Sequence, residues 1–284
     1  MTYQDLKVVN NKEEMRELVF RIRRNDKSVG FVPTMGYLHQ GHLALVEKAK
    51  EMTDQVVVSI YVNPTQFSKG EDLTRYPRNL NNDLRLLKDH RVDFVFLPDE
   101  DKMYNQDHLT WVQVTQLEDR LCGRSRKGHF RGVTTIVLKL LNIVNPDLMF
   151  MGEKDFQQTV ILEKMISDLD LPVRIVRCPT VREADGLAMS SRNSYLSPDG
   201  RQKAVALYKA LQMAKEMFQQ DVNDPQKIVN AMKRLIEEEG GRFDYIEIFD
   251  SKTLQPLSTM ISGCRIALAV YFDGARLIDN IEIT

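Results

Sequence analysis

Short runs rich in β-branched and aromatic residues recur along the first part of the chain, at residues 29–32, 56–62, 92–97, 148–151 and 173–176. Runs that are mostly apolar, rather than strictly alternating, fit strands buried on both faces of a parallel sheet. Between them apolar residues return at helical spacing, as in Leu80, Leu84 and Leu87, in Ile136, Leu140, Leu141 and Val144, and in Val160, Ile161, Met165 and Ile166. Strand and helix in alternation predict βαβ units with right-handed crossovers, hence an α/β fold built on a Rossmann-like doubly wound parallel sheet. Ligands of such sheets bind outside the carboxyl ends of the strands, where the strand order reverses.

The pattern changes after residue 181. Two amphipathic helical stretches, 197–220 and 224–239, precede three strand-like runs at 243–249, 265–272 and 276–283. Asn223, Asp224 and Pro225 read as a helix start with proline in the first turn. The expected organisation is a larger domain over residues 1–181 and a smaller C-terminal α+β domain over 182–284.

Composition narrows the class without changing this picture. The chain has 284 residues, 43% hydrophobic and 28% charged, which is enough for a sizeable core. With 39 basic and 40 acidic residues the net charge is -1, so no general attraction to nucleic acid or to a membrane surface is expected. Cys122, Cys178 and Cys264 are few and far apart, which argues against a disulfide framework or structural zinc and for a reduced, cytoplasmic protein. No apolar stretch approaches the roughly 20 residues that span a bilayer, and the N-terminus has no signal-like core.

The candidate chemistry follows the predicted strands. After the run 29–32 come Met35, Gly36, Tyr37, Leu38, His39, Gln40, Gly41 and His42, and then the apolar helical face of Leu43, Leu45, Val46 and Ala49. Two histidines three positions apart at a helix N-terminus, with free amides and the helix dipole, suit a polyphosphate. By spacing alone they also suit a structural pair. After the run 148–151 come Gly152, Glu153, Lys154 and Asp155, followed by Gln157 and Gln158; the lysine can neutralise phosphate, or the segment can be an ordinary helix start. Met189, Ser190, Ser191 and Arg192 combine hydroxyls and a guanidinium in a polar loop that fits phosphate oxygens, a domain linker, or both. Asn63 and Gln66 offer neutral amides around Pro64, for a hydroxylated ligand or as caps of that turn. Arg124, Arg126 and Lys127 precede Gly128, His129 and Phe130, a basic loop open to an anion or to solvent.

Taken in order, five motifs resemble the pantothenate synthetase (pantoate–β-alanine ligase) family over essentially the whole chain. They are Pro33 to Gly36 with His39 to His42; Val62, Asn63, Pro64, Gln66 and Phe67; Gly128, His129, Phe130, Gly132 and Val133; Gly152 to Asp155 with Gln157 and Gln158; and the stretch from Arg182 to Asn193. His-x-Gly-His alone resembles only the wider nucleotidyltransferase superfamily, and the serine loop is similar to that superfamily's KMSKS loop. The resemblance implies ATP-dependent joining of (R)-pantoate and β-alanine through a pantoyl adenylate, with AMP and pyrophosphate released. It implies that His42, His39 and Lys154 are catalytic. It assigns ATP to Met35, Gly36, Tyr37, Leu38, His39, Gln40, Gly41, His42, Gly152, Glu153, Lys154, Asp155, Val181, Met189, Ser190, Ser191 and Arg192. Pantoate falls to Gln66 and Gln158, and β-alanine to Gln66. A homodimer and Mg2+ are implied as well. Some members carry two adjacent acidic residues after Tyr-Pro-Arg; here Tyr76, Pro77 and Arg78 are followed by Asn81, Asn82 and Asp83, which leaves Asp83 as the candidate metal ligand.

Two other functions share parts of this pattern. An adenylyltransferase acting on a phosphorylated cofactor precursor needs His-x-Gly-His but has no use for Gln66, Gln158 and the Asn63-Pro64 turn. A nucleotide-binding regulatory module needs only the fold. A tRNA synthetase is disfavoured by the lack of an anticodon-binding extension and of a strongly basic face.

Overall fold

The computed structural model describes residues 6–68 and 70–284. In chain order its elements are β1 (Lys7–Val9), α1 (Lys12–Arg23), β2 (Val29–Thr34), α2 (Gln40–Met52), β3 (Gln55–Ile60), α3 (Leu80–Asp89), β4 (Phe94–Phe96), α4 (Glu100–Met103), α5 (Cys122–Ser125), α6 (His129–Val144), β5 (Leu148–Gly152), α7 (Phe156–Asp168), β6 (Arg174–Cys178), α8 (Pro198–Lys203), α9 (Ala206–Gln219), α10 (Pro225–Glu238), β7 (Arg242–Phe249), β8 (Arg265–Phe272) and β9 (Ala275–Glu282). Single 3-10 turns occupy Pro64–Gln66, Glu153–Asp155 and Ser191–Tyr195. No helix among the described residues is long and apolar enough to cross a membrane.

The chain divides into two compact units. The first comprises Met1–Glu118, Arg126–Glu153 and Gln158–Pro179; the second comprises Asp119–Ser125, Lys154–Gln157 and Thr180–Thr284. The short segments 119–125 and 154–157 thus go with the C-terminal half. Their ties are specific: Gln157 donates to the Arg120 carbonyl at 2.7 Å and accepts from the Cys122 amide at 3.0 Å.

The first unit carries a six-stranded sheet in the order β1-β4-β3-β2-β5-β6, parallel throughout, which is the expected Rossmann-like arrangement. From β2 the chain runs outward through β3 and β4, then returns to the other side of β2 as β5 and β6. The order therefore reverses between β2 and β5, and that is where a ligand crevice belongs. Val56, Val57 and Val58 are fully buried, as expected of a central strand covered on both faces.

The second unit is an antiparallel sheet, β7-β8-β9, packed with α9 and α10. Ile228, Met232 and Ile236 recur every four residues on α10 and meet Ile266, Leu268 and Val270 of β8 in one cluster. Each such aliphatic side chain withdrawn from water stabilises the unit by about 1.5–3 kcal/mol.

Four local expectations change. The run 56–62 ends as a strand at Ile60, because Pro64 opens a 3-10 turn, although the Tyr61 amide still reaches the Thr34 carbonyl. The run 92–97 contributes only Phe94–Phe96. The stretch 197–220 is two helices, interrupted at Ala204 and Val205, where no side chain caps the second helix. Finally, β1 is a three-residue edge strand beside β4 that no apolar run announced.

Candidate active site

The loop after β2 is shaped by its own residues. Gly36 has φ 79° and Tyr37 φ 51°, two consecutive left-handed positions that turn the chain sharply out of the strand. The turned loop is held from α3: Asp83 accepts from the Tyr37 amide at 2.8 Å and the Leu38 amide at 2.7 Å, one on each carboxylate oxygen. Asp83 is 1% exposed, and burial pushes its carboxyl above the usual range while the two amides pull it back. The residue expected as a metal ligand thus also holds the loop, one amide on each of its oxygens. Among the described residues no group of three or more His, Cys, Asp or Glu side chains is placed to hold a metal.

His39 is the N-cap of α2 and His42 sits in its first turn, with ring centroids 4.1 Å apart. Nδ1 of His39 accepts from the Gly41 amide at 3.1 Å, and the His39 amide donates to Nδ1 of His42 at 3.3 Å. A nitrogen that accepts cannot carry the ring hydrogen, so each neutral ring is protonated on Nε2. Both rings are half-buried, and Gln40 between them is exposed. The pair therefore does two things: its inner nitrogens cap the helix, and its outer nitrogens are N–H donors at a helix N-terminus.

Gln66 ends the 3-10 turn after β3 and is 9% exposed. Asn63 donates from Nδ2 to Gln66 Oε1 at 3.1 Å and to the Gly132 carbonyl at 3.1 Å, while its Oδ1 accepts from Thr65. It does not cap the turn, which was the other reading of that residue. With Oε1 occupied, Gln66 presents its amide nitrogen; one hydrogen points to the Met35 sulfur at 2.9 Å, and the second is the group's remaining donor. Gly132 matters here because a Cβ on it would lie 2.4 Å from the Thr65 carbonyl oxygen, so only glycine lets α6 approach this turn.

His129, at the start of α6, contacts the Gln66 carbonyl oxygen through Nδ1 at 2.7 Å, so Nδ1 carries the hydrogen. Its Nε2 then accepts from Arg126 at 3.0 Å, and Arg126 forms two 2.7 Å bonds to Glu71. The basic loop is thus committed internally: Arg126 to Glu71, and Arg124 to Glu247 in the second unit. Sequence reasoning missed this chain from Glu71 to Gln66, because the contacts that join its two segments, 66–71 and 126–129, span 55 to 63 positions with no periodic signal.

β5 pairs directly with β2, and Gly152 and Glu153 leave its carboxyl end, so this loop and the His39–His42 loop follow the two strands that flank the reversal of strand order. Gly152 has open space around it. Gln158 is half-buried in the first turn of α7.

In the second unit, residues 181–189 form a hairpin. The Met189 amide donates to the Val181 carbonyl at 3.0 Å, Arg182 bridges Ala188, and Glu183 and Gly186 close the turn. Lys154 donates its ammonium to the Met189 carbonyl at 3.2 Å, which joins two of the predicted segments. Ser190 caps the following 3-10 turn by accepting from the Arg192 amide at 3.2 Å, so its hydroxyl hydrogen remains a donor. Ser191 is buried; Glu153, Asp155 and Arg192 are half-buried.

Comparison with known proteins agrees with this architecture. The model of the pantoate–β-alanine ligase family matches residues 7–282. The pantothenate synthetase of Thermotoga petrophila is 48% identical over 97% of this chain and 99% of its own length, and that of Caldicellulosiruptor saccharolyticus is 48% identical over 97% and 99%. The crystal structure of the Thermus thermophilus pantothenate synthetase superposes with a TM-score of 0.92 at 44% identity, covering 98% of this chain and 99% of that one. A Francisella tularensis pantoate–β-alanine ligase, solved with β-γ ATP and β-alanine, superposes with a TM-score of 0.83 at 34% identity over 98% of this chain and 97% of that one. The chain is therefore an enzyme of the pantoate–β-alanine ligase family.

Proposed function

We propose that this enzyme condenses (R)-pantoate with β-alanine at the expense of ATP, through a pantoyl adenylate, releasing pyrophosphate and then AMP. In the first step a pantoate carboxylate oxygen attacks the α-phosphorus and the bond to the bridging oxygen of pyrophosphate breaks. In the second the β-alanine amine attacks the acyl carbon, loses a proton, and displaces AMP. Charge grows on phosphate oxygens in the first step, so catalysis calls for positioned donors. The observation that carries the reading is the His39–His42 pair: both Nδ1 atoms accept main-chain amides, which fixes two imidazoles with Nε2 as the ring N–H at the start of α2.

The remaining roles follow from the chemistry of each group. Lys154 uses one of its three ammonium hydrogens on Met189 and has two for phosphate. Ser190, Ser191 and Arg192 supply hydroxyls and a guanidinium for the same class of oxygen, and the amides and small residues of the loops at Met35 to His42 and Gly152 to Asp155, with Val181, accommodate the nucleotide. Gln66 offers an N–H, which binds a hydroxyl or carboxylate oxygen without protonating the attacking atom; Gln158 serves the same ligand. The Francisella relative, solved with β-γ ATP and β-alanine, supports two of the three substrates. Mg2+ enters as the counter-ion of ATP. Bound with ATP, it would be held mainly through triphosphate oxygens and water.

The test is incubation with Mg-ATP, (R)-pantoate and β-alanine. Pantothenate, AMP and pyrophosphate in equal amounts are expected. Absence of AMP, or adenylyl transfer to phosphopantetheine or nicotinamide mononucleotide instead, would overturn the reading.

A further inference from the structure

Lys154 is held at both ends within the second unit. Its ammonium reaches the Met189 carbonyl at 3.2 Å, and its own main-chain carbonyl accepts from Asn280 Nδ2 at 2.9 Å. Asn280 lies on β9, 126 positions away and 5% exposed, on a strand whose pattern by itself reads only as part of a sheet.

A buried carboxamide has two ends, and its neighbours decide which faces where. Arg265 donates to Asn280 Oδ1 at 2.6 Å, and a guanidinium has no acceptor, so the oxygen must face Arg265 and the nitrogen must face Lys154. Arg265 is itself 4% exposed, with its guanidinium carbon 3.9 Å from the Phe156 ring centroid and one nitrogen 3.1 Å from Glu282. The preceding strand residue, Asp279, accepts both terminal nitrogens of Arg182 at 2.6 and 2.9 Å. Arg182 also donates to the Gly186 carbonyl at 3.0 Å, inside the hairpin that ends at Met189. Two adjacent residues of β9 thus fix the main chain of Lys154 and the hairpin that receives its ammonium.

We propose that Asn280 is a positioning residue for Lys154: its amide anchors the Lys154 main chain so that the ammonium is delivered to one place. The proposal rests on the reading of Lys154 as a phosphate-contacting group. An aliphatic side chain at 280 would leave the Lys154 carbonyl and an Arg265 N–H buried without that partner, so loss of stability alone would not distinguish positioning from packing. Asn280→Asp does distinguish them. It keeps size and the acceptor for Arg265, and it sets an oxygen against the Lys154 carbonyl.

The test is a double-mutant cycle of wild type, Asn280→Asp, Lys154→Ala and the double variant, read by steady-state AMP formation and by amide hydrogen exchange of the segment Lys154–Gln157. Asn280→Asp is expected to lower kcat at least about ten-fold with KM for β-alanine within about two-fold, because the effect reaches the phosphate side only. The same substitution in the Lys154→Ala background is expected to change kcat by less than about two-fold. Exchange of the segment is expected to rise about ten-fold, with the α9–α10 core unchanged. Equal kcat losses in both backgrounds, or unaltered exchange in the segment, would overturn the proposal. Full turnover in Lys154→Ala would remove the reading beneath it, and the proposal with it, by a pattern distinct from the additive one. If Asn280→Asp does not fold, Asn280→Ser goes through the same cycle.

Discussion

The main-chain amide of His39 donates to Nδ1 of His42, so one histidine is fixed by the backbone of the other. The ring of His42 therefore carries a structural nitrogen and, on the proposed function, a chemical one, which two substitutions can separate. Asparagine places a polar atom near Nδ1, and glutamine places one near Nε2. His42→Asn should keep stability within about 1 kcal/mol, the scale of a helix cap, and should lose at least ~100-fold in kcat, the scale of one oxyanion donor. His42→Gln should retain more turnover and lose about 1 kcal/mol of stability with the cap. Melting curves and single-turnover AMP formation on both variants check this; the opposite ranking would assign catalysis to the capping nitrogen.

The chain Glu71, Arg126, His129 ends on the Gln66 carbonyl, and Gln66 is the proposed pantoate group. His129→Ala should raise KM for pantoate about ten-fold, one lost hydrogen bond's worth of alignment, while KM for ATP stays within about two-fold. Glu71→Gln should act in the same direction and less strongly, since it weakens Arg126 without removing it. Steady-state kinetics with each substrate varied in turn separates these. An equal rise in both KM values would point to general loosening of the first unit.

Asp83 gives a pH-dependent signature. Burial, the largest influence, holds its folded-state carboxyl above the ordinary 3.8. For a group raised in this way the stabilising contribution is complete below the unfolded value and is lost as pH rises through the folded one. Asp83→Asn abolishes that titration and leaves one loop amide facing an NH2 group, costing about 1–3 kcal/mol. The stability gap between wild type and Asp83→Asn should thus be widest below pH 3.8 and narrow as pH rises above it. Urea unfolding of both proteins across this range tests it, and a gap that widens with pH contradicts it.

Arg182 and Asp279 form an ion pair whose carboxylate side chain is 1% exposed. Removing the cation strands a buried charge, so Arg182→Ala should cost about 3–5 kcal/mol, whereas replacing both partners with apolar residues should recover most of it. Chemical denaturation of the single and double variants measures the difference. A loss below about 1 kcal/mol would mean that water reaches Asp279.

What the sequence revealed depended on distance along the chain. β2, β3 and β5 were legible because a buried parallel strand is apolar at most positions on both faces, and the helix start at Pro225 because Asp224 precedes it as an N-cap. β1 was not, since three residues at a sheet edge carry no pattern, nor was the break between α8 and α9, where Ala204 and Val205 contain no glycine or proline. The same holds for the site. His39 and His42, Gln66 and Lys154 sit in compact motifs whose local chemistry suggests a ligand. The groups that hold them are remote: Asp83 lies 45 positions from Leu38, and Asn280 lies 126 from Lys154. Such pairings are created by the sheet topology, and neither propensity nor periodicity records them.

On the proposed function, pantoate is activated before the amine arrives. With Mg-ATP, (R)-pantoate and labelled pyrophosphate, and with β-alanine omitted, a reversible adenylation step should carry label into ATP. The expected exchange requires pantoate and falls at least ~100-fold in His42→Asn. No exchange without β-alanine, from enzyme that makes AMP when all three substrates are present, would contradict it.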